Sequence, residues 1–98
     1  MFDQIKYYTE FVENAYPNLK DTIIGDLSTE DYVHIIQLAA SVMMHRDDIR
    51  PGGHFVQAIC NNNLRDAVNR ADLTAIKGLK FFVYCYNNLY PSHQSVTV

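Results

Sequence analysis

Two arginines, Arg46 and Arg50, precede the turn Pro51-Gly52-Gly53, and His54 follows it where the residue pattern predicts a new helix. A helix start leaves unpaired amides and carries about half a unit of positive charge, while glycines let a ligand approach the backbone closely. Phosphate or carboxylate is what such a combination suits, and guanidinium groups can add paired hydrogen bonds. Arg65 and Arg70 follow, five residues apart and therefore not on one tight helical stripe. Asn61, Asn62 and Asn63 offer donors and acceptors for a base or ribose edge. The candidate ligand-binding set is Arg46, Arg50, Gly52, Gly53, His54, Asn62, Arg65 and Arg70. A plainer reading stands beside it: Pro-Gly-Gly is an ordinary way to turn a chain, Asp66 and Arg70 are spaced as an (i, i+4) pair on a solvated face, and three asparagines in a row also break helices.

Catalytic chemistry finds less material. A nucleophile needs a base within reach and an orienting group behind it, but Ser28 reads as a helix cap, Ser41 as a helix residue, and Ser92 and Ser95 as tail residues. His34, His45, His54 and His93 show no metal-ligand spacing, although His45, Asp47, Asp48 and His54 could converge on one ion. Cys60 and Cys85 lie in apolar stretches and read as reduced, buried thiols. No cofactor motif is present, and the expectation is a binding protein rather than an enzyme. Tyr7, Tyr8, Tyr86 and Tyr90 could stack on a nucleobase, with core or interface packing as the alternative.

The elements that would position these groups are predicted to be helical. Phe2, Ile5, Tyr8, Phe11, Val12 and Ala15 keep the spacing of one buried helical face up to about Tyr16, and Pro17 closes it. Asn18 to Gly25 could form a single helical turn leading into a loop. Ser28 is a cap with Asp31 three residues on, and Tyr32, Ile35, Ile36, Ala39, Val42 and Met43 continue the helix to near His45. A loop spans Asp47 to Gly53. Phe55, Val56, Ile59, Cys60, Leu64, Ala67, Val68 and Ala71 share one phase from His54 onward, as one bent helix or two short ones about the asparagines. Asp72 caps a last helix to about Tyr90, before Pro91. Its segment Phe81 to Tyr86 is apolar or aromatic all round, so it either occupies the middle of the bundle or lends a face to another subunit. The fold expected is all-α, a bundle of about four helices over residues 1–91, with residues 92–98 as a mobile tail.

With 98 residues, 48% of them hydrophobic, the chain can enclose one modest core, to which seven Tyr and five Phe must contribute much of the area. The net charge of -3 argues against a nucleic-acid polymer as ligand. No apolar run approaches the roughly 18 residues of a membrane span, and the N terminus has no signal-peptide pattern, so no membrane association and a cytoplasmic setting are expected.

The run from Pro51 through Gly52, Gly53, Phe55, Ala58, Ile59, Asn62, Leu64, Ala67, Arg70 and Ala71 to Asp72 resembles a group of small proteins widespread in bacteriophage genomes, with the pattern P-G-(G/S)-F-x-x-A-(I/V)-x-x-N-x-L-x-x-A-x-x-R-A-D. The resemblance covers only the C-terminal half, ending near Pro91. His54 is inserted after the glycines, and Pro91-Ser92-His93 stands where many members carry Trp-Gly-Ser-Pro. It implies a phage protein acting in the host cytoplasm. In that setting a non-enzymatic binder could counter host defence by sequestering a phosphate-bearing nucleotide signal, as a homo-oligomer. The alternative is an inhibitor or adaptor docked on a host protein.

Overall fold

A computed structural model describes residues 3–91. Among them it contains α1 (Gln4–Ala15), α2 (Thr29–Arg46), α3 (His54–Cys60), α4 (Leu64–Arg70), α5 (Leu73–Lys77) and α6 (Leu79–Asn88). Two single 3-10 turns, Tyr16–Asn18 and Lys20–Thr22, lie between α1 and α2. No strand occurs among the described residues. Phe2 and the expected tail, residues 92–98, lie outside them.

The helix starts are set by side chains that accept hydrogen bonds from otherwise free amides. Asp3 accepts from Lys6 N, Ser28 from Asp31 N, Asn63 from Asp66 N and Asp72 from Ala75 N. In α2, Glu30 and Asp31 occupy the positive end of the helix dipole, and His45 and Arg46 the negative end.

The all-helical expectation holds, but the expected number of helices was too low, because two long stretches are each divided. The asparagine triplet separates α3 from α4: Asn61 ends one helix, Asn62 takes a φ of 58°, and Asn63 caps the next. Asn tolerates that left-handed backbone better than other side-chain-bearing residues, so the elbow falls there. The second division is at Gly78, which ends α5 and begins α6. A Cβ there would stand 2.8 Å from the Phe82 ring and 3.3 Å from Ile35 Cδ1. Glycine thus lets the chain press against α2 and the first turn of α6.

α2 is the central element, packed against α1, α3, α5 and α6. Its Ile35, Ala39, Val42 and Met43 are fully buried together with Tyr8 and Val12 of α1 and Phe81, Phe82 and Cys85 of α6. Aromatic edges knit the cluster: Tyr16 meets Tyr32 and Phe81, and Phe55 meets Phe82, all nearly perpendicular. The all-apolar stretch is only partly taken up by the interior. Phe81, Phe82 and Cys85 face the core, while Val83 and Tyr84 are 46% and 40% exposed.

Candidate functional site on the helical elbow

α4 folds back on α3, so Arg70 near the end of α4 lies beside His54 at the start of α3. Arg70 Nη1 is 3.3 Å from His54 Nδ1, and Arg70 Nε donates to both oxygens of Asp66 at 3.1 Å. An open cavity of about 200 Å³ is lined here by His54, Gln57, Ala58, Asn61, Asn63, Asp66 and Arg70. A second depression, of about 510 Å³, shares Asn63 and Asp66 and adds Arg65 and Asn69. The two adjoin at Asn63 and Asp66, with Arg70 lining one and Arg65 the other. Gln57, Asn61, Asn63 and Asn69 bring amides that can donate or accept. Arg65 has no hydrogen bond or ion pair among the described residues.

The eight candidate residues therefore do not form one site. His54 and Arg70 come together on the elbow face, and Arg65 lines the adjoining depression. Arg50, Gly52 and Gly53 lie on the other side of the turn and line a separate cavity of about 350 Å³ with Ile5 and Thr9 of α1, Gln37, Ala40, Ser41 and Met44 of α2, and Pro51. Asn62 borders a small apolar dimple with Ile59, Leu64, Ala67 and Val83 instead.

Arg46 is a correction. Its guanidinium is turned inward, donating from Nε and Nη2 to Asp47 at 2.7 and 2.9 Å and from Nη1 to the carbonyls of Cys85 and Tyr86 at 3.0 and 2.9 Å. The Tyr90 ring lies 4.2 Å from its central carbon, and Tyr8 donates to Asp47 Oδ2 at 2.8 Å. Burial works against the charge on Arg46, but the Asp47 hydrogen bonds and charge outweigh it and leave the guanidinium more basic than usual. Burial, then the hydrogen bond to Asp47, pushes the Tyr8 hydroxyl well above the ordinary tyrosine range. Four of the five N–H groups of that guanidinium are taken by the fold, which makes it a structural group rather than part of an open ligand site.

The turn before α3 is also partly occupied. Gly52 N donates to His45 Nδ1 at 3.0 Å, and Gln57 Nε2 donates to Gly52 O at 3.0 Å. The open-tip arrangement expected from Pro51-Gly52-Gly53 gives way to a pinned turn. No cluster of three or more His, Cys, Asp or Glu residues able to hold a metal occurs among the described residues. Burial pushes the Cys85 thiol up to about 12 and raises that of Cys60, which keeps both protonated and inert at neutral pH.

Sequence reasoning missed Gln57 and Asn69 on the elbow face and Thr9, Gln37 and Ser41 on the other cavity. Gln57 and Asn61 at (i, i+4), with Asn63, Asp66 and Arg70 beyond the break, were the available signal. No protein-family model matches the chain, and searches of curated proteins and of solved structures return no significant match.

Proposed function

We propose that this chain is a phage-encoded, non-enzymatic binding protein that captures a phosphate-bearing nucleotide signal of host immunity on the α3–α4 elbow face, acting as a homo-oligomer in the host cytoplasm. The observation that carries the reading is the meeting of Arg70 with His54 in an open cavity walled by side-chain amides, with Arg65 on the adjoining depression. Guanidinium and imidazole groups suit a phosphate, and amides suit the edges of a base. Asp66 occupies Arg70 Nε and would compete with an incoming anion, so a phosphate would be held mainly through Nη groups and Arg65. The phage setting rests on the resemblance of residues 51–72 described above.

Isothermal titration with cyclic di- and trinucleotides and cyclic ADP-ribose isomers tests it. The expected result is a dissociation constant below ~10 μM for at least one ligand, weakened at least tenfold by Arg65→Ala with Arg70→Ala. An absence of heat across the panel, or binding indifferent to both substitutions, ends the reading.

A second reading, docking on a host protein, is favoured by a different observation. Leu64 and Leu73 are 70% and 85% exposed, and Leu64 shares the dimple of Ile59, Ala67 and Val83 on the far side of the elbow. Surface leucines so open are common singly, but apolar residues gathered around one depression are what a protein partner covers. For that reading, pull-down from host lysate should recover one dominant protein, and Leu64→Glu should abolish its recovery while Arg70→Ala leaves it intact.

A further inference from the structure

We infer that the cavity between α1, α2 and the Arg50–Gly53 turn is a second ligand site, built for a small organic anion with an apolar body about the size of one ring. Its volume of about 350 Å³ lies within the range of small-molecule pockets, which runs from ~300 to ~1,000 Å³. Its lining combines two kinds of surface. Ala40 and Met44 are buried core residues that form an apolar floor, with Ile5 and Pro51 beside them. Arg50, Ser41 and Gln37 bring polar side chains to the same space, and none of these three side chains has a hydrogen bond or ion pair among the described residues. Thr9 is satisfied within α1, donating to Ile5 O at 2.7 Å.

The wall formed by the turn is fixed before any ligand arrives. A Cβ on Gly52 would lie 2.4 Å from Val56 Cγ1, so the turn is pressed onto α3, and His45 and Gln57 hold its amide and carbonyl. A wall held in this way costs little ordering on binding. Gly53 supplies a different clue. Its φ of -73° is open to any residue, and a Cβ added there meets nothing within 4 Å. Neither backbone strain nor packing requires glycine at this lining position, and a side chain there would project into open space beside the cavity.

The chemistry follows from the lining. A single guanidinium selects one carboxylate or phosphate monoester, a hydroxyl and an amide add hydrogen bonds, and the floor of Ala40 and Met44 accepts the apolar part. This site is independent of the nucleotide reading, since it uses other residues on the other side of the turn.

Benzoate and its neutral isostere benzamide are suitable probes, followed by amide chemical shifts in a two-dimensional NMR titration. Benzoate should shift Gln37, Ser41 and Gly53 saturably with a dissociation constant of about 1 mM, and benzamide should bind at least tenfold more weakly. Arg50→Gln, at an exposed position, should weaken benzoate at least about tenfold. Gly53→Ser improves the helix cap and should hold or raise the melting temperature while weakening benzoate. No saturable shift at about 20 mM, equal binding of benzamide, or an unchanged affinity in Arg50→Gln overturns the inference. Shifts confined to His54, Arg65 and Arg70 would also overturn it, since they place the anion on the elbow face.

Discussion

Arg46 with Asp47 and Arg70 with Asp66 are the same chemical pair in two parts of one molecule, and they do different work. The first pair is 8% and 10% exposed and is surrounded by Tyr8, Tyr90 and the last carbonyls of α6. The second is 46% and 40% exposed on the elbow, with a histidine and amides beside it. Burial makes the first a joint between the ends of α2 and α6, since a desolvated charge must keep its partners. Exposure leaves the second weak as a stabilising contact and open to a ligand. Residue type and spacing do not separate these roles, whereas the depth at which the guanidinium sits does.

The largest effect expected from breaking the comparison is at the buried pair. Arg46→Met should cost about 3–5 kcal/mol, because it takes the counter-charge from the nearly buried Asp47 carboxylate and frees two carbonyls at the end of α6. In a domain of this size that lowers the melting temperature by roughly 15 °C or more, as calorimetry would record. Arg70→Met should change stability by less than about 0.5 kcal/mol in the same measurement. Equal losses in the two variants would erase the distinction. Asp66→Asn sharpens it from the acidic side, since it removes the carboxylate that competes for Arg70 and should tighten nucleotide binding severalfold in titration calorimetry with little change in melting temperature.

The smallest effect concerns a third, half-buried carboxylate. Asp31 accepts from Thr74 Oγ1 at 2.9 Å and lies 3.6 Å from Lys77 Nζ, and the Thr74 hydrogen bond leads in holding its pKa below the ordinary 3.8. A carboxyl depressed on folding contributes stability above its unfolded pKa and loses it as pH falls through the folded one. NMR titration should therefore find Asp31 protonating below pH 3.8, and Thr74→Ala should move that midpoint upward toward 3.8. A midpoint unmoved by the substitution would show that Thr74 is not the cause.

Much of the architecture was legible in the residues. Ser28 and Asp72 announced helix starts, and the spacing of Ile35, Ile36, Ala39, Val42 and Met43 marked the core face of α2, all five now buried. The break at Gly78 was not, because Leu73, Ile76, Leu79 and Val83 keep helical spacing straight across it. The glycine at 78 was the local sign, outweighed by that spacing, whereas its close approach to Ile35 of α2 is tertiary. The candidate site was half legible. His54 and Arg70 do meet, and Arg65 lies on the adjoining depression, but Arg46 read as a ligand-binding residue because it stands in a polar stretch just before the turn. Besides the adjacent Asp47, its partners are the carbonyls of Cys85 and Tyr86, 39 and 40 positions away along the chain. The turn at Pro51-Gly52-Gly53 was placed correctly, yet His45 at its amide could only be found in three dimensions.

The asparagine elbow has a bearing on how such a surface could change. Its three residues are all that separates the two walls bearing His54 and Arg70, and the left-handed backbone at Asn62 fixes how far those walls spread. The joint therefore works as a calliper. Lengthening or shortening it by one residue would reset the jaw width without disturbing the packed interior around α2, so a descendant of this chain could fit a larger or smaller guest by altering the hinge, whose Asn61 and Asn63 also line the cavity.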